Sequence, residues 1–545
     1  MNQQDAQDMK FWHRWGDWQW CALIAFVTLA AFAPGLRCPF MLDWDDGAFV
    51  IHNQHLEWTW ENLRAYFTHP FLELYTPVPM VSLMLDHALF GLNPLGYHLH
   101  GLLLHTASAL LLYGILRKLS LDHPIATLGT LLWALSPQKV ESVIWVAERK
   151  DVDCGLFAFA SFFAFQCALD DLRPRHRYLL LIASGVLGVL SIWSKPATVA
   201  LPGIFIVYAF LKTSLSSTSS TSSHAIFYPL VFLLPGIWIS MHFTHTGVGH
   251  LERLWAIPFH NLFWYPLSAL YPWHLNPIHV PIRTWGEIWG VVVAGMFVSG
   301  LLLALARWRK VSWTTILCAV MLIVGATVPV LGLLRYTDYT HCDRYNYCVS
   351  AVAWAIVLPL LTCLPLRKPW LLPTALTLLV AVFFVRTWCY LPFWETPDAF
   401  TAYIFQQPGV PNRKAYQQGI TTALRNHNPA LLAVIRERLR NEPPPEGIYS
   451  DPPEEALADL LDAHLAFANG DDTAAYETYA RIDRKSIELN NNYFITSILQ
   501  QIKLQDQWLL AKNRGDHNAA AYYLRQLEEL SEYHASQNLE FPIGE

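Results

Sequence analysis

The chain has 545 residues, 53% of them hydrophobic and only 15% charged, with a mean hydropathy of +0.26. Soluble domains carry roughly a quarter charged residues, so an ordinary water-soluble globule is excluded and a membrane protein is expected. The net charge of −6 is unevenly placed and gives no reason to expect a nucleic-acid partner, and the 9 cysteines show no CxxC pair or zinc spacing.

The polar N-terminal tail carries Lys10 and Arg14 and leads into an apolar run, Trp18 to Leu36. That run is long enough to cross a bilayer and reads as a retained anchor rather than a cleaved signal. Directly after it comes Asp43-Trp44-Asp45-Asp46-Gly47, with three carboxylates in four positions. Acids do not enter hydrocarbon without a reason, so the cluster is expected at the membrane surface. There it can bind a cation or take a proton from a nucleophile, or it is a solvated acidic turn; these residues alone leave the readings even. Asn53 follows, and Trp58 to Phe71 reads as an amphipathic helix lying on the interface.

Later apolar runs fall at 98–116, 124–144, 153–169, 178–194, 197–212, 225–243, 287–305, 312–334, 347–365 and 369–388. Basic residues cluster on every second connection, which places those loops and the N-terminus in the cytoplasm. Parity then requires the proline-rich stretch 258–273 to be re-entrant, giving an all-α, polytopic membrane protein of about eleven spans. The Ser/Thr-rich stretch 212–222 reads as a cytoplasmic linker. From about 395 the apolar runs give way to amphipathic segments at 412–425, 429–440, 454–469, 472–487, 492–512 and 517–534. The expected division is a membrane domain over 1–390 and a soluble, extracytoplasmic helical domain over 391–545, with small residues between Leu460 and Ile482 weakly like a tetratricopeptide repeat.

The expected outer loops hold the remaining chemistry. His98 and His105 lie one heptad apart on one helix face, a metal or phosphate pair or, more commonly, histidines satisfied by their neighbours. Glu141 and Glu148 are also a heptad apart, in the most charged outer loop. Arg149 and Lys150 follow, with Asp151, on the side where the topology rule does not favour cations. Lys195, Arg335, and Asp343-Arg344-Tyr345 add further outward charges. Internal pairing with Glu148 and Asp151 would account for some of these cations; a lipid-borne phosphate at the membrane surface accounts for all of them.

Asp43-Trp44-Asp45-Asp46 with Asn53, Tyr97-His98-Leu99 with His105, Ser136-Pro137 through Glu141, Glu148-Arg149-Lys150-Asp151, Ser194-Lys195-Pro196 and Asp343-Arg344-Tyr345 occur in the order found in TMTC-type proteins and their bacterial relatives. In this the chain resembles protein O-mannosyltransferases of the GT-C class. Two motifs depart from the family pattern: Ser136-Pro137 stands where His-Pro is usual, and Tyr75-Thr76-Pro77 where Tyr-Arg-Pro or Tyr-Tyr-Pro is usual. The resemblance implies an inverting transferase of the inner or plasma membrane. It would move a sugar, mannose or a similar hexose, from a polyprenyl-phosphate carrier to a protein hydroxyl on the periplasmic side. Asp45 or Asp46 would be the general base and would hold a divalent cation if one is used. Arg149, Lys150, Lys195, Arg335 and Arg344 would hold the carrier phosphate. Asp43, Asn53, His98, His105, Glu141, Asp151, Asp343 and Tyr345 are further site candidates, and the C-terminal helices would present an acceptor protein. A lipid or surface-glycan acceptor, or a non-catalytic membrane scaffold, are the alternatives.

Overall fold

The computed structural model describes residues 15–42, 44–72, 74–215, 227–244, 256–277, 279, 285–332, 341–366, 368–407, 413–426, 428–441 and 461–466, together with 471, 474, 504, 506–508, 510–512 and 514–526. The chain forms two compact units, Met1–Thr396 and Pro397–Glu545. The described residues are helical, apart from loops and one isolated bridge between Phe71 and Leu74.

In the first unit the helices are α1 (Asp17–Phe32), α2 (Trp60–Thr68), α3 (Pro77–Phe90), α4 (Pro94–Lys118), α5 (His123–Ala134), α6 (Lys139–Ile144), α7 (Arg149–Asp170) and α8 (Pro174–Ser194). They continue as α9 (Leu201–Leu215), α10 (Phe227–Phe243), α11 (Ala256–Leu270), α12 (Trp285–Trp308), α13 (Trp313–Thr327), α14 (Asn346–Thr362) and α15 (Leu371–Tyr390). Among the described residues nine helical segments, counting short flanking turns, are long and apolar enough to cross a membrane, so this is a multi-pass membrane protein. Apolar side chains outside the bundle agree: α12 leaves Val293, Met296, Phe297 and Leu301 exposed, a surface suited to lipid rather than water.

The apolar run at 124–144 is not one helix. Ser136-Pro137 divides it into α5 and α6, because the residue before a proline avoids the helical region. With 12 residues, α5 is about 18 Å long against a hydrocarbon core of about 30 Å. Its residues from Ile125 to Ala134 are almost all buried, in contact with α1, α4, α14 and α15. The stretch expected to be re-entrant contains α11, which packs on α12 and α14. The amphipathic stretch after the acidic loop is α2, where the Thr59 hydroxyl accepts the Asn62 N–H at 3.2 Å as an N-cap. Its Tyr66 is buried while Trp60 is 71% exposed.

Helix α7 is the pivot of the unit, packing on α4, α8 and α14. Gly155 sits where α7 meets α14; a Cβ there would lie 2.2 Å from the Tyr347 ring. This close approach brings the start of α7 beside the 343–345 turn. Residues 216–226, which include most of the expected linker, fall outside the described residues.

The second unit begins with α16 (Pro397–Gln406), α17 (Arg413–Arg425) and α18 (Pro429–Asn441). Phe405 meets Tyr416 edge-on at 5.1 Å, and the Asp398 carboxylate accepts hydrogen bonds from Asn426 and Asn428 at 2.8 and 3.0 Å. The described residues at 461–466 and 517–526 are also helical. The segment expected at 472–487 lies outside the described residues except for Ala474.

Candidate active site

The acidic loop is folded by its own side chains. Asp46 is 1% exposed, and both its oxygens are engaged: one accepts the Met41 N–H at 2.9 Å, the other the Ala147 N–H at 2.7 Å. The first bond closes the loop on itself. The second ties it to the loop ahead of α7. Burial raises the Asp46 carboxyl to about 7; the two N–H bonds pull it down, and the Asp45 and Glu148 charges push it further up. Gly47 allows the turn, since a Cβ there would lie 2.2 Å from the Leu42 carbonyl oxygen. Asn53 braces the loop: it donates to the Phe49 carbonyl at 3.1 Å, exchanges a hydrogen bond with the Tyr66 hydroxyl at 3.1 Å and accepts the His55 N–H at 3.0 Å. Asp45 remains partly exposed. Asp43 lies outside the described residues.

Across the Asp46–Ala147 bond lies a charge cluster centred on Glu148. Its Oε1 is 3.5 Å from the Lys150 ammonium and 3.3 Å from Arg344 Nε, and its Oε2 is 3.3 Å from the Lys195 ammonium. Lys195 also pairs with Asp151 at 2.6 Å, and the Ser142 hydroxyl donates to Asp151 at 3.3 Å. Arg344 makes a close ion pair with Glu141, and its backbone N–H donates to the same carboxylate at 3.1 Å. Burial favours the neutral form of Lys195, but the Asp151 and Glu148 charges override it and hold its ammonium above the ordinary lysine range. Aromatic faces line the group: Lys195 lies 4.7 Å over Tyr345, Arg344 5.4 Å over Trp145, and Lys150 4.5 Å over Phe49 of the acidic loop. Trp44 packs edge-on against Trp145 at 6.1 Å. The acidic loop and the cations therefore share one neighbourhood.

Other candidates have different partners. Arg149 faces away from this cluster: it pairs with Asp86 at 2.8 Å and donates to Ser82 at 3.0 Å and to the Tyr97 carbonyl at 2.7 Å, with His100 Nδ1 3.0 Å away. Adjacent helical residues point about 100° apart, so Arg149 and Lys150 at the start of α7 serve different neighbours. The histidine pair is committed too. His98 Nε2 donates to the Cys38 carbonyl at 2.9 Å; His105 Nε2 donates to the Ala134 carbonyl at 3.1 Å, and its Nδ1 accepts the Tyr347 hydroxyl at 2.7 Å. Asp343 accepts Gln138 Nε2 at 2.9 Å and the Asn276 N–H at 3.0 Å, and lies 3.2 Å from His279 Nε2. Arg335 lies outside the described residues. Among the described residues, no three His, Cys, Asp or Glu side chains group so as to hold a metal ion.

Two residues gain importance from the structure. Glu148 is the hub, a role that its heptad spacing from Glu141 and its place in the Glu148-Arg149-Lys150-Asp151 motif do not by themselves reveal. Lys139, 1% exposed, donates to the Asn346 carbonyl at 3.0 Å and to Ser350 at 2.7 Å, and lies 5.1 Å over the Tyr347 ring. Burial lowers its ammonium to about 7. It fastens α6 to α14, so the Glu141–Arg344 contact is held from both sides.

No family model matches the chain. Among curated proteins it is similar to protein O-mannosyl-transferase TMTC2 of Homo sapiens, 26% identical over 208 residues, or 36% of this chain and 25% of that protein. It is similar also to TMTC2 of Mus musculus, 30% identical over 148 residues (26% and 18%), and to TMTC3 of Homo sapiens, 26% identical over 153 residues (26% and 16%). Among solved structures, the Archaeoglobus fulgidus oligosaccharyltransferase tethered with an acceptor peptide superposes on 81% of this chain and 61% of that one, with a TM-score of 0.40 and 11% identity. The chain thus matches well under a third of the length of these curated relatives. What it is similar to, over about a quarter to a third of its own residues, are the TMTC-type protein O-mannosyl-transferases.

Proposed function

We propose that this chain is a GT-C-type membrane glycosyltransferase that moves a mannose-class sugar from a polyprenyl-phosphate carrier to a protein hydroxyl on the extracytoplasmic side. The observation that carries this reading is the Asp46–Ala147 hydrogen bond of 2.7 Å, which joins the acidic loop to the loop bearing Glu148 and its three cations. In the transfer, the acceptor oxygen bonds to the anomeric carbon as the bond from that carbon to the phosphate oxygen breaks. The acceptor proton passes to Asp45, the acid of the pair that keeps contact with solvent. The negative charge left on the phosphate is balanced by Lys150, Lys195 and Arg344. Asp46, with both oxygens already bonded, holds Asp45 in place rather than accepting the proton.

In this reading residues 1–390 are the catalytic membrane domain and 391–545 an extracytoplasmic helical domain that presents the acceptor; the N-terminus is cytoplasmic. The basic residues clustered on every second connection support the orientation through the positive-inside rule. The similarity to proteins named O-mannosyl-transferases supports the sugar and the acceptor.

The test is transfer in reconstituted membranes. Proteoliposomes holding the full chain receive polyprenyl-phosphate mannose and candidate extracytoplasmic proteins, and Ser/Thr hexosylation is read by mass spectrometry. A protein-dependent hexose mass shift is expected. If polyprenyl-phosphate sugars yield no transfer to any protein, the proposal is wrong; transfer to a lipid or glycan instead would move the acceptor class.

A second reading has one observation in its favour. Glu141, Glu148 and Asp151 already neutralise Arg344, Lys150 and Lys195, so the cluster also works as an internal brace of a non-catalytic scaffold. The same assay decides between them.

A further inference from the structure

Resting on the reading that phosphate docks at these cations, we propose that Glu148 is an internal stand-in for the carrier phosphate. It keeps Lys150, Lys195 and Arg344 gathered between turnovers, yields them as phosphate enters, and returns to help expel the phosphate product.

Three observations support this. The three cations come from separate stretches of chain, at 150, 195 and 344, yet all meet one carboxylate that is 3% exposed. Lys195 and Arg344 each have a further carboxylate, Asp151 and Glu141, but Glu148 is the carboxylate on which all three like charges converge. Second, the contacts are graded. Charge-assisted N–H···O bonds close to about 2.7–2.9 Å. Lys195–Asp151 at 2.6 Å is that tight, whereas the Glu148 contacts are 3.3, 3.3 and 3.5 Å. The Glu148 contacts are thus the easiest in the cluster to exchange. Arg344 keeps Glu141 and Lys195 keeps Asp151 after the exchange, so both stay anchored. Third, Glu148 ends the 3₁₀ turn Val146–Glu148 and sits at the cap of α7. Its side chain can turn aside there without breaking a helix interior.

The exchange is balanced in charge. A carboxylate and a singly charged phosphodiester each bring one negative charge and at least two acceptor oxygens. No bond forms or breaks; Glu148 rotates out as phosphate oxygens take its place. The product, a phosphate monoester, carries more charge and binds the cations more strongly, so a competing carboxylate hastens its release.

The experiment compares wild type, Glu148→Gln and Glu148→Asp in nanodiscs. It reads the binding of a short-chain polyprenyl phosphate by native mass spectrometry, and kcat and KM for transfer. Removing the competing charge should tighten phosphate binding by about tenfold in Glu148→Gln, the change expected from one charged contact. Its kcat and KM should fall together, with product release limiting turnover. Glu148→Asp, which keeps the charge, should show a smaller change. A purely structural Glu148 also predicts a lower kcat, but with weaker binding and a raised KM. If Glu148→Gln does not fold, Glu148→Gln with Lys150→Gln keeps the buried charges balanced and should still bind at least as tightly as wild type. Unchanged or weaker binding in Glu148→Gln, or binding weaker than wild type in the double variant, overturns the stand-in role. Absence of phosphate binding in every protein, wild type included, overturns the docking reading itself.

Discussion

Asp46 and Ala147, 101 positions apart in the chain, are joined by a hydrogen bond of 2.7 Å from the Ala147 N–H to a carboxylate oxygen. One residue beyond Ala147 is Glu148, on which Lys150, Lys195 and Arg344 converge. This bond joins the two loops and divides the neighbouring aspartates: Asp46 is buried with both oxygens bonded, while Asp45 stays partly exposed.

The first prediction follows from that division. Asp46→Asn turns an amide toward one of two N–H donors and leaves a buried donor unpaired, which costs about 1–3 kcal/mol. Asp45→Asn, at a partly exposed position, should leave the melting temperature in detergent near the wild-type value. Thermal unfolding of the two variants checks this; equal destabilisation by both would show that the pair acts as one unit.

Asp46 also titrates in a useful range, at about 7 because burial opposes its charge. An unfolded aspartate releases its proton at about 4. Between these values the folded state holds the extra proton, so this group's stabilising contribution is full below about pH 4 and gone once the pH has risen to about 7. Infrared difference spectra should show a buried carboxylic-acid band that disappears between about pH 6 and 8 and is missing in Asp46→Asn. A band unchanged by the variant would contradict the assignment.

Gly155 should tolerate little. With a Cβ only 2.2 Å from the Tyr347 ring, Gly155→Ala must push α7 off α14, at a cost of about 1–3 kcal/mol. Because that contact also sets Asp151 and Lys195 against Arg344, transfer activity should fall more steeply than stability. Gly155→Ala with Tyr347→Phe should not restore it, since the ring itself is the obstacle; restoration would point to the hydroxyl.

Much of this architecture was legible in the sequence. Long apolar runs give spans because hydrocarbon admits little else, and two of the charged motifs fall on the loops that the Asp46–Ala147 bond joins. Pairings were harder to read. Arg149 and Lys150 are neighbours in sequence with one expected role, but helical geometry sends Arg149 to Asp86 and Lys150 to Glu148. His98 and His105 share a face, as their spacing implies, yet that face meets the Cys38 and Ala134 carbonyls. The break of the 124–144 run at Ser136-Pro137 was visible in principle; the apolar count hid it. The convergence on Glu148 is not legible in sequence because two of its three partners, Lys195 and Arg344, lie far along the chain.

Arg149 carries its own prediction. Its partners are Asp86, Ser82 and the Tyr97 carbonyl, so it should act on the packing of α3, α4 and α7. Removing one member of a buried pair costs about 3–5 kcal/mol, and Arg149→Met should therefore unfold more readily. Among molecules that fold, KM for the carrier should stay near the wild-type value. A large rise in KM with unchanged stability would return Arg149 to the phosphate.

The most direct measurement of the central claim is the transfer rate of Asp45→Asn beside wild type in nanodiscs, with polyprenyl-phosphate mannose as donor. Loss of a general base lowers the rate by about 10²–10⁴-fold. The account predicts a fall in that range, with carrier binding and thermal stability preserved. A rate equal to wild type would contradict it, and would leave the acidic loop as a brace.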